Sequence, residues 1–256
     1  METSVANRPR AFVGVRGRDA EDYLQRMLSN DVAALTVGQA CDALLLTPKA
    51  RVIAPMRVFR RGAEDFLLLT EPELGERLRD ELLRMRFAAK AEIALEEHSS
   101  YLIVGERNGG IANEDYGVPA AEILDHEPPS ELPRLEDAEL EELRIGAATP
   151  RFGSEIDERV LPAEAGLVER AISLGKGCYP GQEPIARLHY RGHANRRLRV
   201  LDVEGAEPGD ELVLDGKVVG RVTSAVADHA LAYVRTEVPA DAVLDVDGGK
   251  HATIRR

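Results

Sequence analysis

Residues 41–105 constrain the fold most tightly. Three β-type runs, "CDALLLT", "RVIAPMRVFRR" and "EDFLLLT", follow one another with Pro48-Lys49 and Arg61-Gly62 as the turns between them. A helical pattern comes next, "EPELGERLRDELLRMRF", with Leu74, Leu78 and Met85 as its buried stripe. Thr70 and Glu73 have the spacing of a capping box for it. "AEIALEE" and "SYLIVG" then return as strands. That order predicts an α+β class, a helix laid on an antiparallel sheet.

Upstream, "GRDAEDYLQRMLSND" predicts a short amphipathic helix. Ala20, Tyr23, Leu24, Met27 and Leu28 form its inner face, and Asp19 its N-cap. Downstream, "DHEPPSELPR" at 125–134 holds three prolines and reads as a linker or domain crossing. The helix "LEDAELEELRI" follows, its acidic run read as a solvated face. From about residue 197 the pattern becomes short alternating strands with no helix between them, and Asp215-Gly216 gives a hairpin signal. A small antiparallel barrel is the expected C-terminal module.

With aromatics at 4% and no Trp, the core has to be aliphatic. The formal charge of −12 (33 minus 45) argues against a general nucleic-acid coat or a membrane-surface protein, while leaving room for a local cationic pocket. Cys41 and Cys178 are far apart and form no CxxC pair, so no disulfide framework, zinc site or self-held iron–sulfur cluster is expected. The N-terminal stretch lacks an apolar signal region and no run could span a membrane, which predicts a cytoplasmic location.

The chemistry concentrates in "KGCYPGQEPIARLHYRGH", residues 176–193. Two readings of Cys178 stand side by side. A lone cysteine commonly packs as a small apolar side chain, and between Gly177 and Gly181 it would be an inert thiol in a tight turn. Alternatively the thiol is exposed and its thiolate is favoured by Lys176, with Arg187, Arg191 and His193 folding back on it. No His–Asp partner at a fixed spacing supports a protease-like dyad. From Arg187 to Arg199 there are five arginines and two histidines with no acidic residue. Such a run gathers an anion, or forms a seam with the acidic helix at 136–142.

"KGCYPGQE" resembles the K-G-C-Y-x-G-Q-E signature of the YgfZ proteins, folate-binding relatives of the glycine-cleavage T-protein (aminomethyltransferase) associated with iron–sulfur cluster maintenance. "QRMLSNDV" with "LLLTPKARVI", the segment "LRIGAATPRFGSEIDERVLPAEAGL" and the closing strands extend the resemblance over nearly the whole chain. It implies a three-domain cloverleaf around a central channel, with ferredoxin-like α+β domains and a C-terminal β-barrel. The implied domains are 1–41 with 135–196, carrying the cysteine loop, then 42–134, then 197–256.

The resemblance also has departures. Val52-Ile53 is followed by Ala54-Pro55 where the aminomethyltransferases carry an Asp-Asp pair, and neither side chain can move a proton. Gly146 of "LRIGAA" stands where those enzymes place a pterin-gripping glutamate. An active aminomethyltransferase is therefore not expected.

The implied function is a tetrahydrofolate-binding accessory protein that supports iron–sulfur cluster assembly or repair. It would act on iron–sulfur proteins or carriers through Cys178, with Lys176 beside it. Gly177, Tyr179, Gly181, Gln182 and Glu183 would shape the cofactor loop, and Arg187, Arg191 and Arg197 would meet the folate's glutamate tail. Two alternatives are a tetrahydrofolate-dependent one-carbon transferase of altered substrate and a tRNA-modification-related binding protein. The latter predicts steeply salt-dependent RNA affinity.

Overall fold

The computed structural model describes residues 2–107 and 109–255. The chain opens with β1 (Ser4–Asn7), β2 (Ala11–Arg16), α1 (Ala20–Met27), β3 (Ala40–Leu46), β4 (Val52–Gly62) and β5 (Asp65–Thr70). It continues with α2 (Gly75–Met85), β6 (Glu92–Glu96), β7 (Ser100–Val104), β8 (Ile111–Asn113) and β9 (Ala120–Leu124). Three helices follow, α3 (Asp137–Gly146), α4 (Val168–Ala171) and α5 (Gln182–Arg191). The last six strands are β10 (Arg196–Asp202), β11 (Glu211–Leu214), β12 (Lys217–Val226), β13 (His229–Arg235), β14 (Val243–Val246) and β15 (Lys250–Ile254).

The apolar runs of the sequence are strands covered on both sides. In β5, Phe66 and Leu68 pack under α1 and α2, while Leu67 and Leu69 face Phe12 and Ile111. In β3, Ala43 and Leu45 face the helices, whereas Leu44 and Leu46 join a second core with Tyr179 and Ile185 of the cysteine segment. Alternation within one run thus assigns successive leucines to different cores. The five-stranded antiparallel sheet runs β3-β4-β5-β2-β6, and the four-stranded one runs β1-β7-β9-β8, covered by α3 through Leu140.

The C-terminal strands close into a barrel ordered β10-β13-β12-β11-β14-β15. Its β11–β12 hairpin turns through Asp215 (φ 50°) and Gly216 (φ 72°), the paired left-handed residues that a two-residue hairpin loop requires. The α+β class and the antiparallel barrel agree with the sequence reading.

Several local expectations are corrected. The division at residue 42 falls inside β3, and the five-stranded sheet takes β2 from the N-terminal segment, while β7 leaves for the other sheet with β1. Strand pairing over long range, which local pattern does not encode, sets these boundaries. Thr70 ends β5 and donates its hydroxyl to the Pro55 carbonyl at 2.7 Å, so it caps nothing, and α2 starts only after a short 3-10 turn. The capping box forms instead at Glu136 and Glu139 on α3. Asp19 occupies the N-cap position of α1 but its carboxylate accepts from the Lys90 amide. The proline-rich stretch 125–134 is no free linker: Arg134 bridges Val5 in parallel, and the Leu135 amide donates to the Val5 carbonyl at 2.8 Å.

His98 ties the two sheets together. Its Nδ1 lies 2.6 Å from Asp125 after β9 and its Nε2 lies 2.9 Å from Glu96 of β6. Burial works against the charge, but the two carboxylates raise the His98 pKa above its ordinary 6.5. A raised folded value contributes stability that is complete below the unfolded pKa and lost as pH rises through the folded one. The melting-temperature loss caused by His98→Gln is therefore expected to be larger at about pH 6 than at about pH 8.5, a range spanning the reference His pKa. Equal losses at both would contradict the charged bridge.

Candidate functional site: a held-out thiol and an arginine-lined cavity

The cysteine loop is fixed on both flanks. Ser173 donates its amide to the Ser29 carbonyl at 3.0 Å, and the Ser29 hydroxyl donates to the Ala171 carbonyl at 2.6 Å. Lys176 is buried, its Nζ donating to the carbonyls of Leu28, at 2.5 Å, and Gln25. The same Nζ lies 5.0 Å from the centroid of the buried Tyr179 ring. Gly181 closes the loop at φ +83°, where a Cβ would stand 2.6 Å from the Thr47 carbonyl oxygen. Only glycine serves at that approach. Between the two buried anchors Cys178 is exposed and free.

The lysine does not serve the thiol next to it. Burial lowers the Lys176 pKa to about 8 against the opposing pull of Asp31 and Cys41. It is an internal clamp that donates to two backbone carbonyls. Cys41, half-buried on β3, has its pKa pushed up to about 12 by burial and by Asp42 and Asp31. Of the two cysteines, Cys178 is the exposed one.

A central cavity of about 70 Å³ lies where the β1–β2 connection, β3, β4, α3 and α4 converge. By the space one probe sphere needs, it holds roughly five waters. Charged pairs line it. Arg8 holds Glu71 at 2.8 Å, Arg57 holds Asp42 at 2.8 Å, and Arg170 holds Asp115 at 2.6 Å. Arg10 reaches the fully buried Glu122 at 2.8 Å. Burial alone would raise the Asp115 carboxyl, but Arg57, Arg10 and Arg170 hold it well below the usual range. Two donors are left over: Arg57 Nη1 and Arg8 Nε are buried without an acceptor among the described residues. An orphaned buried guanidinium N–H costs free energy until an oxygen or ring nitrogen reaches it.

The sequence-derived site residues fall into three places. Lys176, Gly177, Cys178, Tyr179 and Gly181 form the loop, with Gln182 and Glu183 in the first turn of α5. Arg187 and Arg191 are exposed on α5 and line neither cavity, while Arg197 lines a second cavity beside α5. None of these residues lines the central cavity.

The arginine run makes no seam with the acidic helix. Among the described residues its one ion pair is Arg196 with Glu164, and Glu141 is taken by Arg144 and Arg151. Pro55 lines the central cavity and Ala54 is buried beside it, whereas Gly146 is exposed at the end of α3 and does not line it. Sequence reading missed Arg8, Arg10, Arg57 and Arg170. Arg57 could have been found as a lone charge within an apolar strand, "VIAPMRVF".

Two antiparallel sheets that carry helices, an arginine-lined cavity and a closed C-terminal barrel make up an aminomethyltransferase-type fold, with an exposed thiol on the loop before α5. The solved aminomethyltransferase T of the glycine cleavage system from Bartonella henselae superposes on 98% of this chain and 84% of its own, with a TM-score of 0.81 at 18% identity. The family model of the CAF17 C-terminal beta-barrel domain matches residues 195–256. An uncharacterized protein of Haemophilus influenzae is 30% identical over 84% of this chain and 81% of its own. The tRNA-modifying protein YgfZ of Photorhabdus laumondii is 28% identical over 73% of this chain and 66% of its own. The chain belongs to the YgfZ family, related to the glycine-cleavage T-protein.

Proposed function

We propose that this protein binds tetrahydrofolate in its central cavity and supports iron–sulfur enzymes through Cys178. The observation that carries the reading is the exposed Cys178 thiol, held out by the buried Lys176 and Tyr179 on a loop that glycine alone can close. A thiol kept for packing would be covered; this one is displayed. The orphaned N–H groups of Arg57 and Arg8 are complementary to the oxygen and nitrogen acceptors of a pterin edge. Asp42 and Asp115 lie within the same lining to accept from its amino group. When bound, the folate would supply a one-carbon acceptor. The chain contributes the walls and the hydrogen bonds.

Calorimetry with tetrahydrofolate tests the cavity half of the proposal. Arg57→Lys keeps the charge beside Asp42 and Asp115 but removes Nη1, so affinity is expected to fall about tenfold, the loss of one charge-assisted hydrogen bond. No binding by the wild type, or unchanged affinity in the variant, would contradict it. By the resemblance, Pro55 stands where the aminomethyltransferases carry a proton-moving carboxylate, so no methylene-tetrahydrofolate is expected from an aminomethyl-lipoyl donor. Its formation would favour a one-carbon transferase instead.

A further inference from the structure

A second cavity, of about 330 Å³, lies beyond the wall of the first. The wall is α4 and the residues before it. Leu167, Arg170 and Ala171 face the central cavity, whereas Gly166, Val168 and Glu169 line the second. The opposite side of the second cavity is α5, the helix that begins four residues after Cys178. Its Ile185, Leu188 and His189 fall at i, i+3 and i+4 and present one face to the space. At this volume the cavity reaches the range of small-molecule sites, which combine an apolar floor with a few placed polar groups.

The rim is unbalanced in charge. Arg197 and Arg199 are two apart on β10, hence on one face of the strand, and both line the cavity. Among the described residues neither has a carboxylate partner. Arg196, between α5 and them, turns the other way, pairs with Glu164 at 3.2 Å and lies 4.4 Å over the Tyr233 ring. Of the two lining carboxylates, Glu164 is thereby occupied, which leaves Glu169 against two guanidinium groups. Two like charges held side by side repel until an anion comes between them. The imidazoles of His189 and His193 complete the rim as further hydrogen-bonding groups.

We propose that this second cavity is a binding site for a small organic anion with an apolar body. Arg197 and Arg199 hold its acidic group, and Leu161, Val168, Ile185 and Leu188 receive its body. Because the ligand rests on α5, it touches the element that continues directly from the thiol loop. The inference is independent of folate binding in the central cavity.

The test uses the whole chain and 8-anilinonaphthalene-1-sulfonate, an anionic probe with an apolar body. One saturable site is expected. The exposed double substitution Arg197→Ala with Arg199→Ala is expected to weaken it at least tenfold while leaving the melting temperature unchanged. Leu188→Trp, which fills the floor, is expected to abolish it. Displacement by decanoate identifies an aliphatic acid as the ligand class, and displacement by adenosine monophosphate a nucleotide; either supports the site. An absent saturable phase, a probe affinity unaffected by the arginine pair, or displacement by neither competitor would overturn the proposal.

Discussion

At neutral pH iodoacetamide will alkylate Cys178 while Cys41 stays unmodified over the same period. The thiolate is the nucleophile, and its supply at Cys41 is cut at the source. Burial, with Asp42 and Asp31 close by, moves that thiol from 9.0 to about 12. Three units reduce its thiolate fraction about a thousandfold, before the half-buried position on β3 slows the reagent further. Lys176 lowers the value, but by less than burial and the two aspartates raise it. Peptide mass spectrometry after timed quenching reads both sites at once. Comparable labelling of Cys41 would show that the thiol loop is not the reactive element.

The largest expected loss of stability comes from Glu155→Ala. This carboxylate is fully buried where α3, the 151–156 segment and the barrel meet. It accepts from Arg144 Nη1 at 2.9 Å, from the Ser224 hydroxyl at 2.6 Å and from the Arg151 amide at 2.9 Å. Removing it strands a guanidinium whose side chain is only 3% exposed, leaving Glu141 as its one carboxylate partner. Breaking a buried pair in this way costs about 3–5 kcal/mol. For a chain of this length that lowers the melting temperature by roughly 6–20 °C. Glu142→Ala, which removes an exposed partner of His229, is expected to change it hardly at all. Equal shifts from the two substitutions would mean that Glu155 does not join the barrel to the rest of the chain.

What could be read in the sequence was local. The alternation in "CDALLLT" and "DFLLLT" marked β3 and β5, Asp215-Gly216 marked a hairpin, and eight residues around Cys178 marked the family. What escaped depends on partners distant in sequence. Nothing near "AFVGVR" says that β2 inserts between β5 and β6, and nothing near Lys176 says that its ammonium turns inward to Gln25 and Leu28. Thr70 and Glu73 had capping spacing, yet strand pairing claimed Thr70 first. The cavity arginines come from the approach to β2, β4, α3 and the segment after it, and α4, so their charge could not be seen as one cluster until the chain was folded. The arginine run was visible as charge, but its cavity was not.

The claim at the centre is that Cys178 is the working group of this fold, and Cys178→Ala tests it most directly. Because the side chain is exposed, the variant should keep its melting temperature within the small range of surface substitutions, about 0.5 kcal/mol in stability. Its tetrahydrofolate affinity should be unchanged, since Cys178 does not line the central cavity. The decisive reading is iron–sulfur enzyme activity in a strain that lacks the gene and carries either form at equal abundance. The account predicts that wild type restores the activity and Cys178→Ala does not. Full restoration by Cys178→Ala would contradict it, leaving the loop a turn and the function to the cavities.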